Sequence, residues 1–198
     1  MADIATITRI GPESAGMRMS LEEFAAVEGA GGYLYELEGG VIQVVDVPAH
    51  GFVVQQVRIG LVLFQASHRQ LVRYVAGGAE AALRMPDLQS ERHPDFAVYL
   101  TPPPEKDSSA WEYWIPEIVI EVVSPSSAER DYHTKRSEYL RIGVKLYWII
   151  DPQDESATVL RRRGDRWEET RLDASGVLTT TLLPGFELKL ADVFAAGE

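Results

Sequence analysis

Apolar residues along the chain recur with two periods, and the switches between those periods lay out the elements. Ser20-Leu21-Glu22-Glu23 has the Ser-x-x-Glu form of a capping box, predicting a short helix over residues 21–28 that Gly29, Gly31 and Gly32 end. Residues 33–37 and 41–45 alternate as strands and flank Gly39-Gly40 at hairpin spacing. After Pro48, residues 50–68 place Val53, Val54, Val57, Leu61 and Phe64 at helical spacing, predicting a long helix that covers one face of a sheet. The strands of that sheet are expected over residues 71–76, 81–85, 95–100 and 118–123, the last apolar on both faces and therefore central. Residues 101–109 read as a loop. Ser126 or Ser127 can cap a second helix reaching Ile142, where Gly143 stops it, and residues 145–150 form another strand. The tail reads as short strands over residues 158–162, 167–172 and 186–190. This order predicts an α/β fold: a mixed β-sheet flanked by helices, with an extra N-terminal hairpin and short C-terminal strands.

Composition narrows the chemistry. At 198 residues the chain suits one domain, placed over residues 20–198 after an extended N-terminal segment, residues 1–19. The absence of Cys removes disulfides, thiolate metal sites and cysteine nucleophiles, leaving carboxylates, Lys, His, Ser and Tyr. A net charge of −11 argues against coating nucleic acid by bulk electrostatics, though not against a local basic patch. The first residues show no cationic start followed by an apolar block, and Gln55, Gln56, Arg58 and Gly60 interrupt the most apolar stretch. A cytoplasmic protein with no membrane span is the expectation.

Charged residues at positions patterned for burial are the informative anomalies. Glu121 lies inside Ile118-Val119-Ile120-Glu121-Val122-Val123, on the same face as Val119 and Val123. A buried carboxylate costs several kcal/mol unless paired or bound to a metal, so Glu121 is either a strand-end residue leaning to solvent or an Arg, or a metal ligand or acid/base group. Lys135 falls in the stripe Ala128, Tyr132, Lys135, Tyr139 and Ile142 of the second helix. Snorkelling or an i,i+4 pair with Asp131 explains it alone; the short turn back to Glu121 makes a Lys–Glu pair the better reading. Asp95, after Pro94, would by itself be a turn residue, but beside Glu121 it completes a hard oxygen site for Mg²⁺ or Mn²⁺. Glu36, or its neighbour Glu38, could add a third oxygen, although an exposed hairpin face explains either equally well.

Tyr35-Glu36-Leu37-x-x-Gly40, Pro94-Asp95, Glu121-Val122-x-Ser124-Pro125-Ser126, Asp131-x-x-x-Lys135-x-x-x-Tyr139, Gly143-Val144 and Tyr147-Trp148-x-x-Asp151-Pro152 occur in that order. Together they resemble the Uma2 family, whose fold belongs to the PD-(D/E)XK nuclease superfamily of restriction endonucleases. The resemblance implies a restriction-endonuclease-like core and metal-dependent hydrolysis of DNA phosphodiesters. It makes Asp95 the metal-binding aspartate, Glu121 the second acidic ligand and Lys135 the catalytic lysine. Val123 stands where the superfamily lysine normally does, so the cation comes from the helix instead of the strand. Arg130, Arg136, Arg141 and Lys145 are the expected contacts to the DNA backbone. The competing class is a non-catalytic protein that keeps the fold, as a homodimer or as part of a larger complex.

Other candidates carry less. His50 fits a His of the family but also a helix cap, and His50, His68, His93 and His133 lack zinc-ligand spacing. Ser124 and Ser126 have no Gly-x-Ser-x-Gly context, and residues 29–32 lack a phosphate-loop Lys. Trp111, Tyr113 and Trp114 could stack bases, although core packing is the commoner use of such residues.

Overall fold

Residues 9–45, 51–103 and 114–195 are described by the computed structural model. Arg9–Ile10 (β1) pairs in parallel with Glu28–Gly29 (β2), on either side of the helix Leu21–Ala26 (α1). The capping box forms as read: the Ser20 hydroxyl accepts the Glu23 N–H at 3.2 Å and the Glu23 carboxylate accepts the Ser20 N–H at 2.8 Å. Leu34–Glu38 (β3) and Val41–Val45 (β4) make the hairpin, joined through Gly39 and Gly40 at φ of 55° and 77°, a pair of left-handed positions that glycine occupies without a Cβ clash. Gly51–Ser67 (α2) is the long helix. Strands Tyr74–Ala76 (β5), Leu83–Met85 (β6), Ser90–Arg92 (β7), Phe96–Tyr99 (β8) and Ile118–Val122 (β9) follow. The second long helix ends in Lys135–Ile142 (α3), entered through a π turn over Arg130–Thr134. Leu146–Asp151 (β10), Ser156–Arg163 (β11), Arg166–Leu172 (β12), Val177–Thr180 (β13), Leu183–Lys189 (β14) and the short helix Leu190–Phe194 (α4) complete the chain.

The main sheet has six strands in the order β12-β11-β10-β9-β8-β5, and only β9 and β10 run parallel within it. Strand β9 is internal, as its apolar run requires. One face is covered by Val53, Val57 and Leu61 of α2, which join Val98, Ile120 and Trp148 with Phe186, Leu190 and Val193 of the tail. The opposite face, carrying Val119, Val123, Tyr147 and Ile149, packs on Tyr139 of α3. A second sheet, β4-β3-β7-β6, lies on that side, since Leu83 of β6 joins the same cluster. Its far side rests on Ile10, Met19, Leu21 and Phe24.

Three expectations need correction. Strands β7 and β13 and helix α4 were not patterned, being too short or too polar to show a period. Ser127 does not cap the second helix with its side chain; its hydroxyl accepts the Ser124 N–H and donates to Asp131. Strand β6, expected in the main sheet, lies in the second, whereas Trp114, buried against Tyr99 with ring centroids 4.1 Å apart, takes the core packing that is the commoner use of such a residue. His50, Trp111, Tyr113 and most of the expected 101–109 loop lie outside the described residues. Among the described residues no helix is long and apolar enough to cross a membrane.

Candidate active site

The site begins with strand register. Antiparallel pairing sets Phe96 opposite Ile120 and Ala97 opposite Val119, so Asp95, one residue before Phe96, falls across from Glu121, one residue after Ile120. Cross-strand partners share a face, and this one looks toward α3. The Val122 N–H donates to Asp95 Oδ2 at 2.7 Å, and the Asp95 N–H reaches Glu121 Oε2 at 3.4 Å. Glu121 is only 3% exposed; its other oxygen, Oε1, accepts the Tyr139 hydroxyl at 2.6 Å.

Helix α3 brings the cation. Lys135 Nζ lies 3.0 Å from Glu121 Oε1, 3.0 Å from Asp131 Oδ1 and 3.7 Å from Glu36 Oε1. Both sequence explanations for Lys135, the i,i+4 pair with Asp131 and the pair with Glu121, therefore hold at once. Four residues apart on the helix, Asp131 and Lys135 share its buried side with Tyr139, while Ala128 and Tyr132 are only partly buried. Ser127 fixes Asp131 through a 2.6 Å hydrogen bond, and Tyr147 donates to the Asp131 carbonyl oxygen at 2.9 Å.

Glu36 is not on an exposed hairpin face. It is 1% exposed, accepts the His93 N–H at 3.0 Å and pairs with Arg92 Nη1 at 3.1 Å. Arg92, itself fully buried, also binds Glu38 at 2.9 Å and both oxygens of Glu138, at 2.7 and 3.0 Å. Its guanidinium thus locks the hairpin strand to α3, a planar fork serving three carboxylates. Sequence reasoning missed Arg92 and the inward turn of Asp131 and Glu138; Asp131-x-x-x-Lys135 was the one available signal.

Burial and charge set the protonation of these groups. Burial alone would raise Glu36, but the charges of Lys135 and Arg92 with the His93 N–H outweigh it and hold its carboxyl below the usual range. Asp95 is pushed up to about 6 by burial, only partly opposed by the Val122 N–H and Lys135. Glu121 is pushed up to about 8 by burial, opposed by Lys135 and reinforced by the charges of Asp131 and Asp95. Lys135 is held charged, above its ordinary value, because Glu121, Glu36 and Asp131 outweigh its burial.

Glu36, Asp95, Glu121, Asp131 and Lys135 line one hollow of about 330 Å³, with His93 and Ser124 at its walls. Glu38 is not among its lining residues, which assigns the hairpin's place in the hollow to Glu36. Four carboxylates face one ammonium there. Among the described residues no three metal-ligating side chains converge as a preformed cage. Asp95 and Glu121 supply hard oxygens from adjacent strands, a donor set that fits Mg²⁺, which keeps much of its water and uses one or two carboxylates, better than Zn²⁺ or a Ca²⁺ cage. Of the four cations expected to meet DNA, two are engaged elsewhere: Arg136 pairs with Glu169 at 2.7 Å and Lys145 lies 3.6 Å from Glu117.

Comparison with known proteins places the family and the fold. A family described as "Uma2: Putative restriction endonuclease" matches residues 21–191, and the chain belongs to that family. The fold is shared with a crystal structure of a "putative nuclease belonging to DUF820" from Anabaena variabilis ATCC 29413. That match has a TM-score of 0.71 at 18% identity and covers 90% of this chain and 98% of the other. No curated protein matches the chain.

Proposed function

We propose that this protein is a divalent-metal-dependent endonuclease that hydrolyses DNA phosphodiesters at the hollow between β8, β9 and α3. The observation that carries the reading is the placement of Asp95 and Glu121 on neighbouring strands beside a buried lysine, with more carboxylates than cations. Carboxylates held short of full ionisation by burial are a site that one added cation would balance. Membership of the Uma2 family supports the nuclease class.

Asp95 and Glu121 would hold Mg²⁺ or Mn²⁺, and the bound ion would supply Lewis-acid polarisation of a phosphoryl oxygen and activation of water. Tyr139 orients Glu121 by its hydrogen bond, leaving Oε2 on the side of Asp95. Lys135, kept protonated, is no general base; its ammonium stabilises negative charge on the phosphoryl group as the pentavalent transition state forms. Glu36 and Asp131 hold that ammonium in place, and Arg92 holds Glu36.

The test pairs calorimetric Mn²⁺ titration with plasmid cleavage. The parent is expected to bind Mn²⁺ and cut, and Glu121→Gln to lose both while staying folded. A parent that neither binds Mn²⁺ nor cuts any DNA tried would leave the non-catalytic reading in its place.

A further inference from the structure

The chain spreads its 30 acidic residues widely, yet residues 47–79 contain none while carrying Arg58, Arg69 and Arg73. This segment is α2, the turn after it and edge strand β5. Its arginines are exposed, and among the described residues none lies within ion-pair distance of a carboxylate. Elsewhere Arg84, Arg136, Arg163 and Arg171 each sit 3.1 Å or closer to an acid.

These arginines line hollows that lead to the active site. The hollow holding Asp95 and Lys135 shares Asp95 and Ala79 with a second of about 380 Å³, walled by Gln55, Arg58 and Glu80 and floored by Gly77 and Gly78. The second shares Val62 with a third of about 350 Å³, walled by Gln65, Arg69 and Arg73. Along α2, Gln55, Arg58, Val62 and Gln65 follow one another at three- or four-residue steps, a single stripe that Arg69 continues past the helix end. From Arg58 to Arg69 this stripe runs about 16 Å at the helical rise, a length of duplex axis that carries on the order of five phosphates of one strand, at roughly 3.4 Å of axis each.

We propose that this groove is the DNA track, in which Arg58, Arg69 and Arg73 bind phosphates along the strand whose scissile bond lies at Asp95. The inference rests on the nuclease reading above, and moves the backbone contacts from α3 to α2. Glutamines between arginines suit it, because they donate to phosphate or base edges without adding repulsion. A strip that carries three arginines against Glu80 at one wall and Asp95 at its active-site end gives a protein of net charge −11 a local face on which to meet a polyanion. The apolar stripe Phe52, Ile59 and Leu63 lies on a different side of α2 and is not part of the track.

The experiment is fluorescence anisotropy on the full chain in EDTA, where no cleavage occurs, with a labelled 20-base-pair duplex across a salt series. Arg58→Gln/Arg69→Gln/Arg73→Gln is compared with Arg130→Gln/Arg141→Gln and the parent. The groove variant should bind at least tenfold more weakly, with its log–log salt slope shallower by about 2 to 3, roughly 0.9 for each phosphate no longer neutralised. The α3 variant should change binding less than twofold. Equal binding by groove variant and parent, or an equal weakening in the α3 variant, would overturn the track. If that happens while the parent cuts plasmid in Mg²⁺, the nuclease reading stands and only the track falls. Salt-dependent binding that disappears in the groove variant, by a parent that never cuts, leaves the track and removes the hydrolase. A parent that binds no DNA removes both, and sedimentation showing that the groove substitutions split a dimer would make this face an interface between copies.

Discussion

The two helices flanking the main sheet use their charges in opposite ways. On α3 and its entry turn, Asp131, Lys135 and Glu138 point inward: Lys135 pairs with Asp131, Glu121 and Glu36, and Glu138 pairs with Arg92. On α2 the inward positions are Val53, Val57 and Leu61, and the charge stays outside on Arg58. A charge taken inside with its partners fixes geometry, because removing one member strands the others in low dielectric. One left outside without a partner is free to meet a ligand. The same sheet thus has one helix that builds chemistry and one that presents a surface.

The largest effect should come from breaking the inward network at its cation. Lys135→Met is expected to lower plasmid cleavage at least a hundredfold, the scale of losing one transition-state donor. It should also cost stability, about 3–5 kcal/mol, because Glu36, Glu121 and Asp131 lose their shared partner. Thermal melts with and without Mn²⁺ check this: the melting temperature should drop and the metal should recover part of it. Cleavage at the parental rate would remove Lys135 from the mechanism.

Arg92 offers a second break, remote from the reacting atoms. Arg92→Met keeps a long side chain but strands Glu36 and Glu138, both almost fully buried, so a loss of about 3–5 kcal/mol is expected in urea melts. As a positioning residue it should lower cleavage through Glu36 and Lys135. Substituting exposed Arg69 by Met should leave stability within about 0.5 kcal/mol, so similar losses at the two positions would contradict the contrast between inward and outward charge.

How much of this was legible follows the same division. The central strand, both long helices, the hairpin and the convergence of Glu121 with Lys135 are all patterned, because strand and helix periods fix which face a side chain takes. Arg92 was not, since Glu91-Arg92-His93 reads as polar loop and its burial depends on Glu36 and Glu138, far away in sequence. Asp131 entered only as an i,i+4 partner of Lys135, because that spacing makes the two neighbours but does not show the Ser127 hydroxyl and Tyr147 that hold Asp131 inside. The acid-free run over residues 47–79 was visible in charge patterning, but its meaning depends on how the hollows join.

A pH series sharpens the site more gently. Asp95 and Glu121 have folded-state values raised to about 6 and about 8, so above pH 4 the native state holds more protons than the unfolded one. Stability of the metal-free protein should therefore fall as pH rises from about 5 to 8. Glu36, depressed, acts in the opposite sense and only at lower pH, where its stabilisation is lost as acid protonates it. Melting temperatures in EDTA should decline across this window and flatten in Mn²⁺, whose affinity should rise as the carboxyls ionise. A flat EDTA series would show that these two carboxyls do not titrate there.

The smallest expected effect concerns Tyr139, which touches Glu121 but no reacting atom. Tyr139→Phe keeps the ring against Tyr147, whose centroid lies 5.0 Å away, and deletes only the hydroxyl that donates to Glu121 Oε1. A hydrogen bond to a carboxylate is worth about 1.5–3 kcal/mol, but Lys135 remains on the same oxygen, so the stability loss should fall at or below the low end of that range. Its loss also removes a donor to the charged form, which moves Glu121 further up. Mn²⁺ binding should therefore keep its stoichiometry while its pH midpoint shifts upward, and cleavage should fall only a few-fold, recovering as pH is raised. A purely structural role would lower the melting temperature and leave that midpoint where it was, so the pH profile of Mn²⁺ binding, and not activity at one pH, decides whether Tyr139 positions the ligand.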